Sequence, residues 1–323
     1  MVEIHKLPNE TDFEYKLRLC KAKINKEIDL EWQEIVDLLG LDVHYDHLRK
    51  TAYGLIEYDN YLHSEEGVAT RILSISDLHI PFQKPIETFK DYQNRVDILQ
   101  INGDVSDCQA ISKFPKVYRI SPMEELIKTR QYLIELIEYL KPKSVIVNYG
   151  NHDLRFQNYF ARTLDTDLLE LMPKTSLELI FEDGFRHYDK REKTKIEYEA
   201  LNKVLTNVDI QYIDNWYCKI GNTIFCHPLA FSGQPMKTSE NAMNFFRNEG
   251  FQFNSLVMAH THRIGEYSIG NTTLYEQGCC CETKQNNYSD GRLTKSQKEG
   301  FIYISQDSNG DIIRNKTFLV QLN

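Results

Sequence analysis

The sequence predicts an α/β fold, a parallel or mixed sheet with helices packed on it, preceded by a small helical unit. Two observations carry this. Between residues 11 and 54, apolar side chains recur every three or four positions, the period of a helix with one buried face. From Arg71 onward, short apolar runs that end in polar residues alternate with helix-length stretches, the pattern of strands joined through helices.

In chain order, Phe13, Leu17, Cys20 and Ile24 mark a first helix, and Trp32, Ile35, Val36 and Leu39 mark a second that stops at Gly40. A third helix is expected from about Tyr45 to Tyr53, ending at Gly54. Residues 29–54 therefore read as helix, turn, helix. The polar run SEEG (Ser64–Gly67) is taken as the boundary between a domain over 1–66 and a larger one over 67–323. Three strands follow: Arg71–Ser76 ending in DLH, Val96–Ile101 ending in NGD, and Ser144–Tyr149 ending in GNHD. Helical stretches lie between them over Ile86–Asn94 and Pro122–Leu140. Beyond Asp153 a charged stretch to about Asn207 reads as mostly helical, and Arg186–Lys203 as its solvated face. Strands then return in IQYIDNWYCKI, NTIFCH, SLVMAHTH, GEYSIG, NTTLYEQG, GFIYIS and KTFLVQL.

The 323 residues are 41% hydrophobic and 26% charged, which fits a packed soluble domain. No apolar run reaches the ~18 residues of a membrane span, and the N-terminus lacks the basic start and apolar stretch of a secretory signal. Seven cysteines with no C-x-x-C spacing are expected to be reduced thiols of a cytoplasmic protein. The consecutive Cys279, Cys280 and Cys281 are expected in a buried strand returning toward the polar strand ends. The net charge of −9 is uneven: residues 1–66 carry 8 basic against 15 acidic side chains, the remainder 30 against 32.

Chemistry concentrates where the strands end. Asp77 and His79 follow the first, Asp104 the second, Asn151 and His152 the third; His227 follows NTIFC, and His260 and His262 follow SLVMA. Ligands bind at that edge of open α/β sheets. Carboxylate, imidazole and amide oxygen suit a borderline divalent metal, and an Asp shared by two such ions allows a water to be activated and a phosphoryl group clamped.

Read in order, D-L-H, G-D-V-S-D, G-N-H-D, H and A-H-T-H resemble the calcineurin-like metallophosphoesterase superfamily, whose pattern is D-x-H, G-D-x-x-D, G-N-H-(D/E), H and G-H-x-H. The resemblance covers about residues 70–280. It implies two mixed sheets packed face to face and flanked by helices. It implies two divalent ions, manganese first, with iron, zinc or nickel as alternatives. Asp77, His79 and His262 would hold one ion, Asn151, His227 and His260 the other, and Asp104 would bridge them. His152 would act on the leaving oxygen or on transition-state charge, with Asp107 accepting its ring N–H. Ala259 stands where the pattern has Gly. GDVSDCQ lacks the arginine of the protein Ser/Thr phosphatases, G-D-x-V-D-R-G.

Arg155 is a candidate for the substrate phosphate or a structural arginine. The expected function is hydrolysis of a phosphate ester, most concretely a phosphodiester of DNA or RNA. The alternatives are a phosphomonoesterase, a small-nucleotide phosphodiesterase, a phosphoprotein phosphatase, or a non-catalytic scaffold on the same fold. The helix–turn–helix would present DNA or serve packing and oligomerisation, and Arg186, Lys190, Arg191, Lys193 and Lys195 could guide a polyanion.

Overall fold

In the computed structural model, which describes residues 2–8, 10–62, 66–113, 120–189, 192–286 and 296–322, Thr11 caps helix α1 (Asp12–Ile24). Its hydroxyl accepts from the Glu14 amide, and the Glu14 carboxylate accepts from the Thr11 amide. Helix α2 (Trp32–Leu38) closes on Gly40 at φ +62°, a left-handed turn that a glycine adopts without strain. The buried face of α1 is set by Tyr15, Leu19, Cys20 and Ala22, whereas Phe13 is exposed. Ile35, Val36, Leu48 and Ala52 complete this core.

Helix α3 (Tyr45–Leu62) does not end at Gly54 as the sequence suggests. An interior glycine costs a helix only about 1 kcal/mol against alanine. Ile56 extends the face that packs on the core, and Asp59 pairs with Lys21 of α1. Residues 63–65, which include the first half of the expected boundary segment, lie outside the described residues. Residues 1–66 and 67–323 form two compact units.

The larger unit contains strands β1 (Thr70–Ile75), β2 (Ile98–Asn102) and β3 (Ser144–Asn148), with β4 (Phe185–Asp189) and β5 (Thr194–Tyr198) further along. Next come β6 (Asp209–Ile213), β7 (Tyr217–Ile220), β8 (Thr223–Cys226) and β9 (Ser255–Met258). The chain closes with β10 (Ile264–Ile269), β11 (Thr272–Gln277), β12 (Gly300–Gln306) and β13 (Phe318–Gln321). One sheet has the order β13-β12-β1-β2-β3-β6, the other β10-β11-β9-β8-β7. Both are mixed: β1, β2, β3 and β6 run parallel, as do β8, β9 and β11, whereas β12 and β13 in the first sheet and β7 and β10 in the second pair antiparallel. Ile72, Ile302 and Ile304 of the first sheet pack on Cys218, Phe225 and Val257 of the second, which makes the face-to-face core.

Helix α4 (Pro122–Leu140), capped by Ser121, lays Leu126, Leu133, Leu136 and Ile137 on the outer face of the first sheet. A tight 3₁₀ segment, Ile86–Tyr92, replaces the helix expected there. A helix missed in the sequence, Lys237–Asn248, packs Ala242, Met243 and Phe246 against the second sheet. Among the described residues no helix is long and apolar enough to cross a membrane.

The stretch after Asp153 is only partly helical, which corrects the sequence reading. Helix α5 (Arg155–Phe160) and several short turns run to Asp183; Gly184, at φ +80°, then opens the β4–β5 hairpin. In β4 the exposed Arg186 and Tyr188 alternate with half-buried Phe185, His187 and Asp189, whereas β5 is exposed up to Tyr198. Arg186 pairs across with Glu197, and Phe185 stacks on Tyr198 at 4.9 Å. Lys190 and Arg191 lie outside the described residues. IQYIDNWYCKI likewise breaks into β6 and β7, one in each sheet.

Candidate metal centre

All the parallel strands that bear the candidate ligands deliver them just past their carboxyl ends. Asp77 and His79 follow β1, Asp104 follows β2, and Asn151 and His152 follow β3. From the second sheet, His227 follows β8, and His260 and His262 follow β9. The two sheets thus bring their ligand-bearing loops to one edge.

The backbone there is strained. Asp77, His79, Asp104, His260 and His262 all have φ between +44° and +78°, a region that residues with a β-carbon seldom adopt. Each such residue costs about 1–3 kcal/mol and is kept where the surroundings fix it. The glycines of the G-D and G-N elements are needed for close approach. A β-carbon on Gly103 would lie 2.7 Å from His227 Nδ1, and one on Gly150 would overlap the Asp104 carboxylate.

Asp104 lies at the centre of the cluster. Its Oδ2 is 3.9 Å from His79 Nε2 on one side and 3.2 Å from His227 Nε2 on the other. On the first side, Asp77 Oδ1 is 3.0 Å from His262 Nε2, and the Nε2 atoms of His79 and His262 face each other at 3.2 Å. Asp77, His79 and His262 offer ligand atoms that all lie within 4.8 Å of one another. Asp104, His227 and His260 do the same.

These residues fit divalent ions on a further ground. Asn151 Oδ1, His227 Nε2 and His260 Nε2 are buried and have no hydrogen-bond partner among the described residues. A buried polar atom left in that state costs about 1–3 kcal/mol, and a cation would satisfy all three. The imidazoles are held from behind, with Nε2 left toward the centre. His227 Nδ1 donates to the Asn102 carbonyl at 2.7 Å, His262 Nδ1 lies 3.2 Å from Gln297 Oε1, and His79 Nδ1 lies 3.2 Å from Asp107 Oδ1. Outer partners of this kind fix the ring and the tautomer of metal-binding histidines.

Charge is balanced tightly. Burial works to raise the Asp77 and Asp104 carboxyls, but the neighbouring histidines outweigh it and hold both well below the usual range. Burial likewise works to lower the imidazolium of His227, yet Asp104 and Asp77 push it up to about 9. His262 reaches about 9 through Asp77 despite its burial. His260, by burial and then by His227, is pushed down to about 3, so its ring is a neutral donor at any ordinary pH.

His152 stands beside this set. Its amide donates to Asp104 Oδ1 at 2.7 Å, and its Nδ1 lies 3.0 Å from both the carbonyl and Oδ1 of Asp107. Arg155, the first residue of α5, donates through Nη2 to His152 Nε2 at 2.9 Å and through Nη1 to the Asp107 carbonyl at 2.5 Å. Arginine has only donors, so in this arrangement His152 Nε2 must be an acceptor.

Two further groups complete the site, Asp153, which the sequence reading passed over, and the cysteine triplet, which it expected in a strand returning toward the polar strand ends. Asp153, fully buried, accepts from the amides of Asp104 and Gly150 at 2.8 and 2.9 Å and so ties the G-D loop to the G-N-H-D loop. Its place as the last member of G-N-H-D was the available signal. Burial and the Asp104 charge raise its carboxyl to about 7. The other group is the cysteine triplet. It is not a strand: only isolated bridges pair it, Cys279 with Glu299 and Cys281 with Gln83. The thiols of Cys279 and Cys281 lie within 4.8 Å of a ring nitrogen of His262.

A family model described as calcineurin-like phosphoesterase matches residues 70–264. No curated protein matches the chain. Among solved structures, vacuolar protein sorting 29 of Cryptosporidium parvum is 13% identical, with 79% of this chain and 99% of that one covered, at a TM-score of 0.37. A metallophosphoesterase from Sphaerobacter thermophilus is also 13% identical, with 79% and 88% covered, at 0.38. A structure described as a novel archaeal phosphodiesterase is 14% identical, with 78% and 99% covered, at 0.31.

Proposed function

The chain belongs to the calcineurin-like phosphoesterase family, and on that premise we propose that it hydrolyses phosphodiesters with two divalent metal ions. The supporting observation is the position of Asp104, whose Oδ2 faces His79 on one side and His227 on the other. Asp77, His79 and His262 would hold one ion, Asn151, His227 and His260 the other, and Asp104 both. Bound there, the two ions would activate a water and offset charge on the phosphoryl group.

The chain's own residues supply the rest. Strained ligand loops tied by Asp153 hold the donors in place before substrate arrives. His152 is the group we assign to the leaving oxygen, and Asp107 orients it through Nδ1. In the observed arrangement its Nε2 accepts from Arg155. A substrate phosphate that drew the Arg155 guanidinium onto its own oxygens would release Nε2, which could then take a proton from solvent and pass it to the leaving oxygen.

Nucleic acid is the diester we favour. Support comes from the α2–α3 pair turning at Gly40, from Lys50, Lys193, Lys195 and Lys203, which are exposed, and from the missing phosphoprotein-phosphatase arginine at Cys108. Arg49 and Arg186 contribute less than their number suggests, since they pair with Asp46 at 3.0 Å and Glu197 at 2.9 Å.

The test is a panel on manganese-loaded protein. It comprises p-nitrophenyl phosphate, bis-p-nitrophenyl phosphate, cyclic nucleotides, a phosphopeptide, and single- and double-stranded DNA and RNA. The diesters should be cleaved faster than the monoester, and a chelator should abolish the activity. Preference for the monoester or the phosphopeptide would move the reading to a phosphatase. No turnover on any of them, with two ions bound, would leave a scaffold.

A further inference from the structure

We propose that Cys279, Cys281 and His262 form a site for a thiophilic divalent ion, such as Zn²⁺ or Cd²⁺, that adjoins the dinuclear centre and competes with it for His262. The proposal uses His262 as assigned above, but the thiol site does not require the chain to be catalytic.

The geometry begins with the backbone. The segment that follows β11 is pinned on both flanks. Gly278 N–H donates to the Arg263 carbonyl at 2.7 Å and Cys279 N–H to the Lys298 carbonyl at 3.0 Å. Cys280 N–H donates to the Ser76 carbonyl at 2.9 Å, one residue before Asp77. The chain bends at Cys280, which enters the main core with Leu73 and Phe301, whereas Cys279 and Cys281 do not. Those two thiols turn instead toward His262, and the three ligand atoms lie within 4.8 Å of one another. All three cysteines are fully buried and none is in a disulfide.

Two thiolates and one imidazole make a soft donor set, which selects zinc-like ions over manganese or magnesium. Three protein ligands with an open fourth position are an established form for such an ion. Binding replaces two S–H bonds by two S–metal bonds and releases two protons to solvent. His262 belongs also to the Asp77–His79–His262 set. A soft ion taken by the thiols therefore draws His262 from the dinuclear centre. A centre loaded with manganese would be switched off by excess zinc or cadmium.

Cadmium titration of the full chain tests this by absorbance, because cadmium thiolate bonds give a near-ultraviolet charge-transfer band that nitrogen and oxygen ligands lack. The wild type should develop the band, saturating near one equivalent, and Cys279→Ser/Cys281→Ser should lose it. Cadmium NMR of the wild type separates a two-sulfur environment from one of nitrogen and oxygen alone, so the test survives a variant that fails to fold. No band, a band that persists in the double variant, or a resonance with no sulfur ligand would overturn the site. Hydrolysis of bis-p-nitrophenyl phosphate with manganese is followed in parallel. Turnover without the band refutes only the thiol site; the band without turnover under any metal refutes only the phosphoesterase reading.

Discussion

Asp107 Oδ1 lies 3.0 Å from Nδ1 of His152, and the same oxygen lies 3.2 Å from Nδ1 of His79. One buried carboxylate thus orients a histidine assigned to the leaving group and another assigned to a metal ion. Burial works to raise the Asp107 carboxyl, but the two histidines hold it far below the usual range, so it is ionised whenever the protein is folded.

Asp107→Ala should therefore damage two functions together. Loss of an outer partner of a metal-bound histidine typically lowers metal affinity or activity by about 10–100-fold. Both metal content and kcat should fall, with Asp107→Asn milder because its amide oxygen still accepts a ring N–H. Titration calorimetry with Mn²⁺ and steady-state kinetics measure the two effects. Normal metal affinity in the alanine variant would remove His79 from the role assigned to it.

His152 and Asp104 should separate chemistry from metal binding. His152→Ala should lower kcat by roughly 10²–10⁴-fold, the usual worth of a positioned proton donor, with both ions retained. Asp104→Ala removes the oxygen that faces both ligand sets, so metal should be lost. Elemental analysis beside kinetics reads the difference. An empty site in His152→Ala would make His152 a ligand.

The metal-free and metal-loaded proteins should respond oppositely to pH. His227 is raised from the ordinary 6.5 to about 9 by Asp104 and Asp77, and His262 to about 9 by Asp77. A raised folded value means that the stabilisation is complete below about 6.5 and is lost as pH climbs to about 9. The melting temperature of chelated protein should fall across that window. Ions bind the neutral rings, so uptake at pH 7 should release about two protons, visible as calorimetric heats that depend on buffer ionisation. Heats independent of the buffer would show that these rings are already neutral.

How far the sequence could be read depended on the range of the determining interaction. Helix α4 was legible end to end, because Ser121, Pro122 and the spacing of Leu126, Leu133 and Leu136 act within a few turns. The strand-end positions of Asp77, Asp104 and His227 were legible for the same reason. The β4–β5 hairpin was not, since the pairing of Arg186 with Glu197 spans 11 residues and its charges imitate a helical face. Helix α3 passed Gly54 because of a tertiary contact between Asp59 and Lys21, 38 residues apart. The return of the cysteine triplet toward the strand ends was legible, but its strand was not borne out, and the approach of Cys281 to His262 depends on carbonyls at Ser76, Arg263 and Lys298, far off in sequence.

Gly150→Ala should cost more than a methyl group normally does. Its β-carbon would overlap the Asp104 carboxylate, and the atoms in the way are a buried side chain and backbone rather than a mobile tip. Overpacking typically costs about 1–3 kcal/mol. Here it would also push Asp104 off its two ligand sets, so metal should weaken beyond the loss of stability. Chemical denaturation of chelated protein, compared with Mn²⁺ titration, separates the two. A destabilised variant with normal metal affinity would show that Asp104 can move aside at no cost.

The helical unit should be dispensable for the chemistry. Residues 1–66 bury their own core of Tyr15, Leu19, Ile35, Val36, Leu48 and Ala52, and every residue proposed to bind metal or to act on the leaving group lies beyond residue 76. A 67–323 fragment should fold, bind two ions, and cleave bis-p-nitrophenyl phosphate at about the rate of the whole chain. If α2 and α3 also present nucleic acid, the fragment should lose activity on DNA or RNA selectively, and Arg49→Ala with Lys50→Ala in the whole chain should reproduce part of that loss. Phosphate contacts make such binding weaken as salt rises, with a slope set by the number of phosphates neutralised. The salt slope should be shallow, because Arg49 already pairs with Asp46 and residues 1–66 carry 8 basic against 15 acidic side chains. Unchanged cleavage of nucleic acid by the fragment would leave packing or oligomerisation as the purpose of the helices. Loss of small-diester cleavage as well would show that they complete the catalytic unit.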